Sequence, residues 1–360
     1  MVILHIAAIE NNMCNGVNVI VPQHIKAQSK YADIAFINVK NIEIYGIKNQ
    51  FKYSDNFAID SLPYPFNAPQ LVVFHEAYRV EYIRISKLLR KQGIPYIIVP
   101  HGELTVMAQR KKWLKKKVAN ILLFNRFIKS AKALQVLSEN ELGNTRFKVK
   151  KIIGTNGIDV PCNSKQVFSY GAPRFIYIGR LELKIKGLDL LLAAVADMAE
   201  FLRSSHIKFH LYGPDYKGRF LAVQTLIEEK AIEDIVILSR EVVGEKKIAK
   251  LLESDVFIQT SRTEGMPLGV LEALSYGIPC LVTEGTSMAG LITEYNAGWG
   301  CGCSVDDIKQ AIFSAIQQQD LYVQKSKNAK QLIKEKFCWD NIAEKTINEY
   351  KKLINFSIKQ

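Results

Sequence analysis

The residues with the clearest chemical potential lie between Ser261 and Ala273, in the segment SRTEGMPLGVLEA. Glu264 and Glu272 flank residues 265–269, whose Gly and Pro content is typical of a helix start, so we expect Glu264 to precede a helix and Glu272 to lie about two turns along it. A helix N-terminus attracts phosphate through its unpaired N–H groups, and carboxylates accept hydrogen bonds from sugar or ribose hydroxyls. The segment therefore indicates a site for a phosphorylated, hydroxyl-rich ligand. A capped helix with solvated glutamates is the alternative interpretation.

A second group of residues supplies positive charge. Arg180 follows the apolar run RFIYIG, and Lys186 precedes the helical pattern GLDLLLAAV. Ligands of α/β proteins bind at the carboxyl ends of parallel strands. At such a place Arg180 and Lys186 could pair with a diphosphate and stabilise the charge that develops as it leaves. Taken singly, both would be ordinary surface charges.

The elements that must position these residues alternate along the chain. Short β-branched runs are followed by amphipathic helical patterns, which is the signature of parallel sheets covered by helices on both faces. The expected strands are VILHIAA, DIAFINV, LVVFHE, YIIVPH, ALQVLS and KKIIGTNG in the first half, and RFIYIG, KFHLYG, IVILS, VFIQTS and PCLVT in the second. A Pro-, Gly-, Asn- and Ser-rich segment, 161–173, separates the two series. After about Ser304 the pattern becomes wholly helical.

Two α/β domains follow from this pattern and from the length of 360 residues, since a single core seldom grows so large. We expect an N-terminal domain over residues 1–165 and a C-terminal domain over 166–338. The apolar positions of WDNIAEKTINEYKKLINF recur at helical spacing, so we expect a helix over 339–360 with one apolar face that must pack against another element. We also expect this helix to cross back to the N-terminal domain.

The charge balance indicates an anionic partner. Lys and Arg number 48 against 35 Asp and Glu, a formal net charge of +13. The densest basic cluster surrounds Trp113 and Leu114 and consists of Arg110, Lys111, Lys112, Lys115, Lys116 and Lys117. A solvated helix face, a nucleic-acid patch and a membrane-facing surface are the three interpretations. No nucleic-acid-binding motif accompanies the cluster, which argues against nucleic acid as a partner.

Other features favour a cytoplasmic protein. No apolar run approaches the roughly 18 residues that span a bilayer. The first residues, MVILHIAAIE, lack the basic start and the cleavage site of a signal peptide. The six cysteines are scattered, and Cys301 and Cys303 have a single residue between them, which is a poor spacing for zinc.

Several segments together resemble the bacterial GT4 family of retaining, group 1 glycosyltransferases. They are GRLELKIKGLDLLL, HLYGPDYKG, SDVFIQTSRTEGMPLGVLEALSYGIPCLVTEGTSM and AGWG, with thinner likeness in PHGELTVMAQRKKW, SENE, NGID and FCWDNIAEKTINEYKKL. The resemblance implies the GT-B fold, in which two Rossmann-like parallel-sheet domains face each other across a cleft. It also implies a nucleotide-sugar donor, UDP- or GDP-linked, bound mainly by the second domain, and an acceptor held mainly by the first.

The resemblance also assigns roles to particular residues. Arg180 and Lys186 would bind the donor diphosphate, Glu272 the ribose hydroxyls and Glu264 the transferred sugar. The remaining positions are Gly265, Met266, Pro267 and Leu268, whose backbone would contact the sugar and phosphates; Arg240, near the nucleobase; Gly16, near the donor phosphate; and His101, near the donor sugar. Asn15 stands where relatives often carry a further glycine. His101 has an alternative interpretation as a strand-end histidine bonded to backbone.

The implied mechanism retains the configuration of the sugar, with the leaving diphosphate taking the proton of the acceptor hydroxyl. Neither a protein nucleophile nor a metal is then required, and we find no Asp-x-Asp metal motif and no cofactor motif. Asp215 lies in a turn and is no metal site by itself.

The family also suggests an acceptor, namely a glycan on a polyprenyl diphosphate in the synthesis of a bacterial surface polysaccharide such as O-antigen, capsule or exopolysaccharide. The basic cluster would then face the anionic inner leaflet of the plasma membrane, where the protein would be peripheral. Alternatives are a soluble or glycolipid acceptor, and a non-catalytic nucleotide-sugar-binding subunit. A nucleotide-sugar epimerase is disfavoured by the combination of Arg180, Lys186 and Glu264.

Overall fold

The structure is a computed structural model that describes residues 1–12, 15–54, 56–110 and 113–358. Cys14, Lys111 and Lys112, which entered the interpretation of the sequence, lie outside these ranges. The chain divides into two compact units, one formed by Met1–Gly157 with Trp339–Gln360 and the other by Ile158–Cys338. The division falls at Gly157, a little before the boundary at 165 that the linker composition suggested.

The first unit is built on a seven-stranded sheet in which every pairing is parallel. Its strands are β1 (Val2–Ala7), β2 (Asp33–Asn38), β3 (Gln50–Lys52), β4 (Leu71–His75), β5 (Tyr96–Val99), β6 (Ala133–Val136) and β7 (Lys151–Ile153). They lie in the order β3-β2-β1-β4-β5-β6-β7. The predicted runs are all present, and the short edge strand β3 was not predicted because QFK contains no β-branched residue.

Helices connect these strands. They are α1 (Gly16–Gln28), α2 (Val80–Lys91), α3 (Val106–Arg110), α4 (Trp113–Ala119), α5 (Asn125–Lys129) and α6 (Glu139–Asn144), with a wider turn, Asn120–Phe124, joining α4 to α5. The core between sheet and helices is aromatic: Phe74 lies against Tyr82, Tyr96 and Phe127, with ring centroids 4.9 to 5.5 Å apart. These rings are at most 2% exposed, so tightly packed aromatic side chains support the sheet on this face.

The second unit contains a six-stranded parallel sheet. Its strands are β8 (Arg174–Ile178), β9 (Lys208–Tyr212), β10 (Val236–Ser239), β11 (Val256–Gln259), β12 (Cys280–Thr283) and β13 (Gly298–Cys301). The order is β10-β9-β8-β11-β12-β13. All five predicted strands are present. The sixth, β13, has the sequence GWGC and was not predicted, since two glycines weaken any strand signal.

Helices cover the sheet of this unit, and the last two of them begin the wholly helical region that was predicted after about Ser304. The helices are α7 (Leu188–Asp197), α8 (Ala199–Ser204), α9 (Arg219–Glu229), α10 (Gly244–Glu253), α11 (Leu268–Ser275), α12 (Ala289–Glu294), α13 (Val305–Gln317) and α14 (Tyr322–Leu332). A capping box at Ser304 and Asp307 starts α13, which explains why helix replaces strand at this point.

The last helix, α15 (Trp339–Ile358), belongs to the first unit and packs against α1. Its buried residues recur at helical spacing along one face, namely Ile342, Ala343, Thr346, Ile347, Tyr350 and Leu353. Trp339 lies so close to Gly157 that a Cβ there would be 2.5 Å from its ring, so a glycine is required where the chain leaves the first unit.

Candidate active site

The topology of the second sheet defines one preferred place for a ligand. Counted from β8, the strands lie in the order 3-2-1-4-5-6, so strand addition changes direction between β8 and β11. In open α/β sheets, ligands bind outside the carboxyl ends of the strands at such a switch point. Arg180 and Lys186 follow β8, and Glu264 follows β11. The sequence candidates therefore surround the position that topology favours.

A glycine brings the two loops together. Gly187 has φ +64°, and a Cβ at this position would be 1.8 Å from the carbonyl oxygen of Thr260. The hydroxyl of Thr260 donates to the carbonyl of Gly187 at 2.9 Å. The loop after β8 thus lies directly on the end of β11, and only glycine permits this approach. As a result, Lys186 is held beside the residues that follow β11.

Lys186 and Glu264 form an ion pair through Nζ and Oε1. The same carboxylate oxygen accepts hydrogen bonds from Ser261 Oγ at 3.0 Å and from Gln259 Nε2 at 3.2 Å. The two charged side chains are 13% and 14% exposed, so both are largely shielded from water yet accessible. An amine and a carboxylate fixed in this way could hold an anionic group and a hydroxyl of one ligand.

Arg180 lies nearby but has a different partner. Its Nη1 is 3.2 Å from Oε1 of Glu182, a buried carboxylate that also pairs with Arg219. More than half of the Arg180 side chain, 56%, is exposed. Because Arg219 also neutralises Glu182, Arg180 could turn toward a ligand without leaving that carboxylate unpaired. Neither Glu182 nor Arg219 was singled out from the sequence.

The glutamates 264 and 272 stand on either side of the start of α11. The helix begins at Leu268, later than the start near Gly265 that we expected, so Glu272 lies about one turn along it rather than two. Pro267 is the N-cap residue of the helix, and its side chain makes no hydrogen bond to the first N–H groups. Glu272 pairs with Lys247 of α10, a lysine that the sequence did not bring to attention. Gly265, Met266 and Leu268 are half-buried.

Arg240 belongs to a separate group of side chains. It follows β10, its Nη1 lies 2.8 Å from Oδ2 of Asp215, and its guanidinium is 4.1 Å from the ring centroid of Phe220. The hydrogen bond from Arg240 lowers the pKa of Asp215. Within the described ranges, no ion pair or hydrogen bond joins Arg240 to Glu264 or Glu272, and its assignment to nucleobase binding stays a prediction.

In the first unit, Gly16 is the first residue of α1. The side chain of Asn15 caps this helix by accepting a hydrogen bond from the N–H of Val17 at 3.1 Å. Asparagine is a preferred N-cap residue, which accounts for its presence where relatives often carry glycine. Gly16 therefore stands at a helix N-terminus at the carboxyl side of β1, next to the switch point between β1 and β4.

His101 follows β5 in a left-handed backbone conformation, with φ +48°. Its Nε2 lies 3.2 Å from Nδ1 of His75, and burial lowers the pKa of its imidazole to about 3. The structure thus does not support the simple alternative of a ring bonded to backbone, since its partner is another imidazole.

Two carboxylates, the buried Glu141 and the half-buried Glu103, fix the loop around His101. Glu141 accepts hydrogen bonds from the N–H of Gly102 at 2.9 Å and from that of Leu137 at 2.7 Å. Glu103 accepts one from the N–H of Ala77 at 2.6 Å, and burial raises the pKa of this carboxyl to about 7. The unusual backbone of His101 is therefore held from both sides. Glu141 lies in the SENE segment, but its contacts were not foreseen.

Among the described residues, one group could hold a metal ion. His5, His24 and His75 are buried, and one ligand nitrogen of each lies within 4.8 Å of the others. Burial lowers the pKa of all three, so they are neutral at pH 7, as metal ligands must be. The expectation of metal-independent chemistry stays a prediction.

The basic cluster of the first unit adjoins exposed apolar side chains. Lys115 and Lys117 are exposed, and Lys116 donates to the carbonyl of Ala108 at 2.8 Å. The exposed apolar residues of this region are Trp113, Leu114, Val118, Ile121, Leu122 and Leu123, between 46% and 73% exposed. A groove of about 400 Å³ lies beside them, lined among others by Trp113, Lys117, Arg146 and Phe147. None of the helices in the described ranges is both long and apolar enough to cross a membrane.

A known family matches a part of the chain that lies within the second unit. Residues 163–332 match the family model described as "Glycosyl transferases group 1". An uncharacterized glycosyltransferase of Methanocaldococcus jannaschii is 27% identical over 179 residues, which are 49% of this chain and 44% of that protein. The GDP-mannose:cellobiosyl-diphosphopolyprenol alpha-mannosyltransferase of Xanthomonas campestris is 24% identical over 282 residues, 75% of this chain and 70% of that protein. The chain thus covers less than half of the first relative and about two thirds of the second.

Solved structures extend the likeness to the whole fold. Sucrose-phosphate synthase from Thermosynechococcus elongatus superposes with a TM-score of 0.74 at 14% identity, over 99% of this chain and 100% of that chain. The fold defined by the two sheets is therefore GT-B, a fold of glycosyltransferases. The match over residues 163–332, which is just under half of the chain, and the two sequence relatives together support a group 1 glycosyltransferase.

Proposed function

We propose that this chain is a retaining, metal-independent glycosyltransferase that moves a sugar from a UDP- or GDP-sugar to a glycan acceptor. The acceptor would be linked to a polyprenyl diphosphate in the synthesis of a bacterial surface polysaccharide such as O-antigen, capsule or exopolysaccharide. The observation that carries the proposal is the Lys186–Glu264 pair at the switch point of the second sheet, beside the start of α11.

The donor would lie across the carboxyl ends of β8 and β11. Lys186 and Arg180 would pair with the diphosphate, together with the first N–H groups of α11. Glu264 would accept a hydroxyl of the transferred sugar and Glu272 those of the ribose. The backbone from Gly265 to Leu268 would pass between these groups, and Arg240 would contact the nucleobase.

In the reaction, the bond between the anomeric carbon and the diphosphate oxygen breaks. The acceptor hydroxyl oxygen bonds to the anomeric carbon on the same face, and its proton passes to the leaving diphosphate. Lys186 and Arg180 would stabilise the charge that accumulates on that diphosphate, which is the role a divalent ion has in metal-dependent transferases. Glu264 and His101 would accept hydrogen bonds from sugar hydroxyls and so orient the donor.

The Xanthomonas relative supports the choice of acceptor, since it is named as a mannosyltransferase acting on a cellobiosyl-diphosphopolyprenol. A soluble or glycolipid acceptor is the alternative within the enzyme class, and a non-catalytic nucleotide-sugar-binding subunit is the alternative outside it. The fixed ion pair at the site favours the enzyme, because a module that only binds would gain nothing from stabilising the leaving group.

The first unit would bind the membrane surface. Exposed lysines beside exposed apolar side chains on α4 and the following turn are the composition of a surface that lies on an anionic lipid leaflet. Each basic residue near such a surface contributes about 1 kcal/mol, so the protein would bind reversibly. We propose a cytoplasmic protein that is peripheral at the inner face of the plasma membrane.

Donor and acceptor can be tested with the purified full chain. A thermal-shift screen of UDP- and GDP-sugars should show one donor that raises the melting temperature, since a ligand at 100 times its dissociation constant stabilises by about 2.7 kcal/mol. That donor should yield product with a glycan on a short-chain polyprenyl diphosphate. Product with soluble sugars alone would favour the alternative acceptor, and binding without product under any condition would favour the binding subunit.

Flotation with anionic and neutral vesicles tests the membrane proposal. The chain should float with anionic vesicles only, and Leu122→Asp should abolish flotation because it places a charge on the apolar surface. Leu221→Asp is the matched control, since Leu221 is similarly exposed but lies on α9 of the other unit. Equal flotation with neutral vesicles, or equal loss in both variants, would contradict the proposal.

A further inference from the structure

A continuous series of hydrogen bonds connects His101 to the interior of the first unit. His101 Nε2 lies 3.2 Å from His75 Nδ1, and His75 Nε2 lies 2.9 Å from His5 Nδ1. His5 Nε2 is 3.0 Å from Gln28 Oε1, and Gln28 Nε2 is 2.7 Å from His24 Nε2. Neighbouring rings in the His101–His75–His5 series are inclined by only 22°, the edge-to-edge arrangement of imidazoles linked by N–H···N bonds.

Each N···N contact in this series needs an N–H on one ring and a lone pair on the other, and burial favours the neutral imidazole by lowering its pKa. A neutral imidazole has one N–H and one nitrogen lone pair, so it donates on one side and accepts on the other. In a linear series, every ring must therefore point its N–H in the same direction. The group at the buried end determines this direction for all of them, including His101.

The buried end of the series is fixed by the backbone carbonyl of Gly154, which can only accept a hydrogen bond. Gln135 Nε2 donates to the carbonyl of Gly154 at 3.0 Å, so the oxygen of the Gln135 amide faces the other way, where it accepts the hydroxyl proton of Tyr350. Having given its only proton to Gln135, Tyr350 can only accept from Gln28. A hydrogen bond between Tyr350 and Gln28 lowers the pKa of Tyr350, whereas burial raises it.

The remaining directions follow one by one. With its Nε2 toward Tyr350 and His24, Gln28 presents Oε1 to His5, so His5 carries its proton on Nε2. His5 Nδ1 then accepts from His75 Nε2–H, and His75 Nδ1 accepts from His101 Nε2–H. His101 keeps a lone pair on Nδ1, and no hydrogen bond in the described part of the chain occupies that nitrogen.

We propose that His75, His5, Gln28 and His24 are positioning residues that hold His101 as the Nε2–H tautomer and present its Nδ1 as an acceptor for a ligand hydroxyl. His101 would therefore bind a sugar or acceptor hydroxyl and not a phosphate oxygen, which itself only accepts. Naming that ligand a sugar rests on the proposed function, whereas the tautomer is a property of the protein alone. The hydrogen bonds from the N–H of Gly102 to the Glu141 carboxylate and from the N–H of Ala77 to the Glu103 carboxylate complete the positioning by fixing the loop.

The tautomers can be observed directly in the full chain by ¹⁵N NMR after labelling of histidine. A protonated and an unprotonated imidazole nitrogen have well-separated shifts, so the six histidines can be assigned with single-site variants. We expect His5, His75 and His101 each to be protonated at Nε2. Protonation of His101 at Nδ1, or a charged ring at pH 7.5, would overturn the proposal whether or not the chain transfers sugar.

Variants separate positioning from simple packing. Tyr350→Phe removes the anchor and should produce both tautomers of His101, whereas the matched control Tyr96→Phe, which loses a buried hydroxyl bonded to the carbonyl of Phe127, should leave the spectrum unchanged. His75→Gln retains a donor and an acceptor, so the Nε2 proton of His101 should stay protected from exchange with solvent. In His75→Leu that protection should be lost. An unchanged His101 signal in His75→Leu and Tyr350→Phe would contradict the proposal.

Turnover provides a second measurement once a donor is known. In a folded His75→Leu variant we expect kcat/KM to fall about tenfold, the worth of one hydrogen bond, and in His75→Gln to be largely restored. Equal losses in both variants would indicate a packing role alone. An inactive wild-type chain with the expected tautomers would count against the proposed function and leave this inference in place.

Discussion

Four histidines of the first unit, of which His5, His24 and His75 are buried and His101 is half-buried, make its stability depend on pH. Burial is the main cause of the lowered pKa values, which are about 3 for His5, about 4 for His24 and about 3 for His101. In the unfolded chain a histidine has a pKa near 6.5. Because the folded pKa lies below the unfolded one, the unfolded chain takes up protons first as the pH falls. Stability is therefore complete above pH 6.5 and is lost progressively toward pH 3 to 4.

The size of the effect can be worked out at pH 5. This pH lies about 1.5 units below the unfolded pKa, so each of the three histidines costs about 2 kcal/mol and together they cost about 6 kcal/mol. Glu103 has the opposite effect, because its pKa in the folded chain is raised to about 7. Its protonation between pH 7 and pH 5 therefore increases the free energy of unfolding by about 2 kcal/mol. The net loss of about 4 kcal/mol is a large part of the stability of an ordinary domain. His75 adds to the loss and Glu141 reduces it.

Urea unfolding at pH 7 and pH 5, followed by circular dichroism and by Trp fluorescence, measures this loss. We expect a clear fall in the midpoint at pH 5, and a smaller fall in His24→Phe, which keeps the ring contact with Trp339 but has no titrating group. His206→Phe is the control, since His206 is exposed and lies in the other unit. Equal midpoints at the two pH values, in chains that are folded at both, would refute the reasoning.

Three further predictions concern the second unit. In urea unfolding, Gly187→Ala should destabilise the second unit by about 3 kcal/mol or more, because the new Cβ would clash with the carbonyl of Thr260. The control Gly218→Ala has a similar positive φ but no atom near the new Cβ, so it should cost roughly 1–2 kcal/mol. Glu272→Ala should raise the dissociation constant of the donor in calorimetry about tenfold, through the lost ribose contact, with little change in kcat. Glu264→Gln should lower kcat more than donor affinity, since the amide cannot pair with Lys186; equal loss of both would contradict this.

Most of the fold could be predicted because its strands are buried on both faces and read as β-branched runs. VILHIAA, RFIYIG and VFIQTS stand out for this reason, and the restart of the series gave the two units. The edge strands QFK and GWGC could not be found, since short or glycine-containing strands have no such run. The exact chain division at Gly157 was also hidden, because it depends on how Trp339 packs against that glycine.

The candidate site was predictable only in its local parts. Lys186, Glu264 and Glu272 stand in segments with a recognisable order of residues. Lys247, the partner of Glu272, lies on another helix, and nothing in its own neighbourhood distinguishes it. Arg219, which pairs with Glu182 beside Arg180, also comes from a distant part of the chain. The imidazole series is an extreme case: His5, Gln28 and His75 come from β1, α1 and β4, so their alignment depends on strand order and register, and each alone resembles an ordinary core residue.

The central claim is that the Lys186–Glu264 pair forms the donor site of a glycosyltransferase. The most direct measurement is the acceptor-dependent release of nucleoside diphosphate by the wild type, Lys186→Ala and Lys184→Ala. Lys184 lies in the same loop but is 84% exposed and pairs with Asp189. We predict that Lys186→Ala loses on the order of 100-fold or more in kcat while folding normally, and that Lys184→Ala stays within about twofold of the wild type. Wild-type turnover in Lys186→Ala would contradict the account.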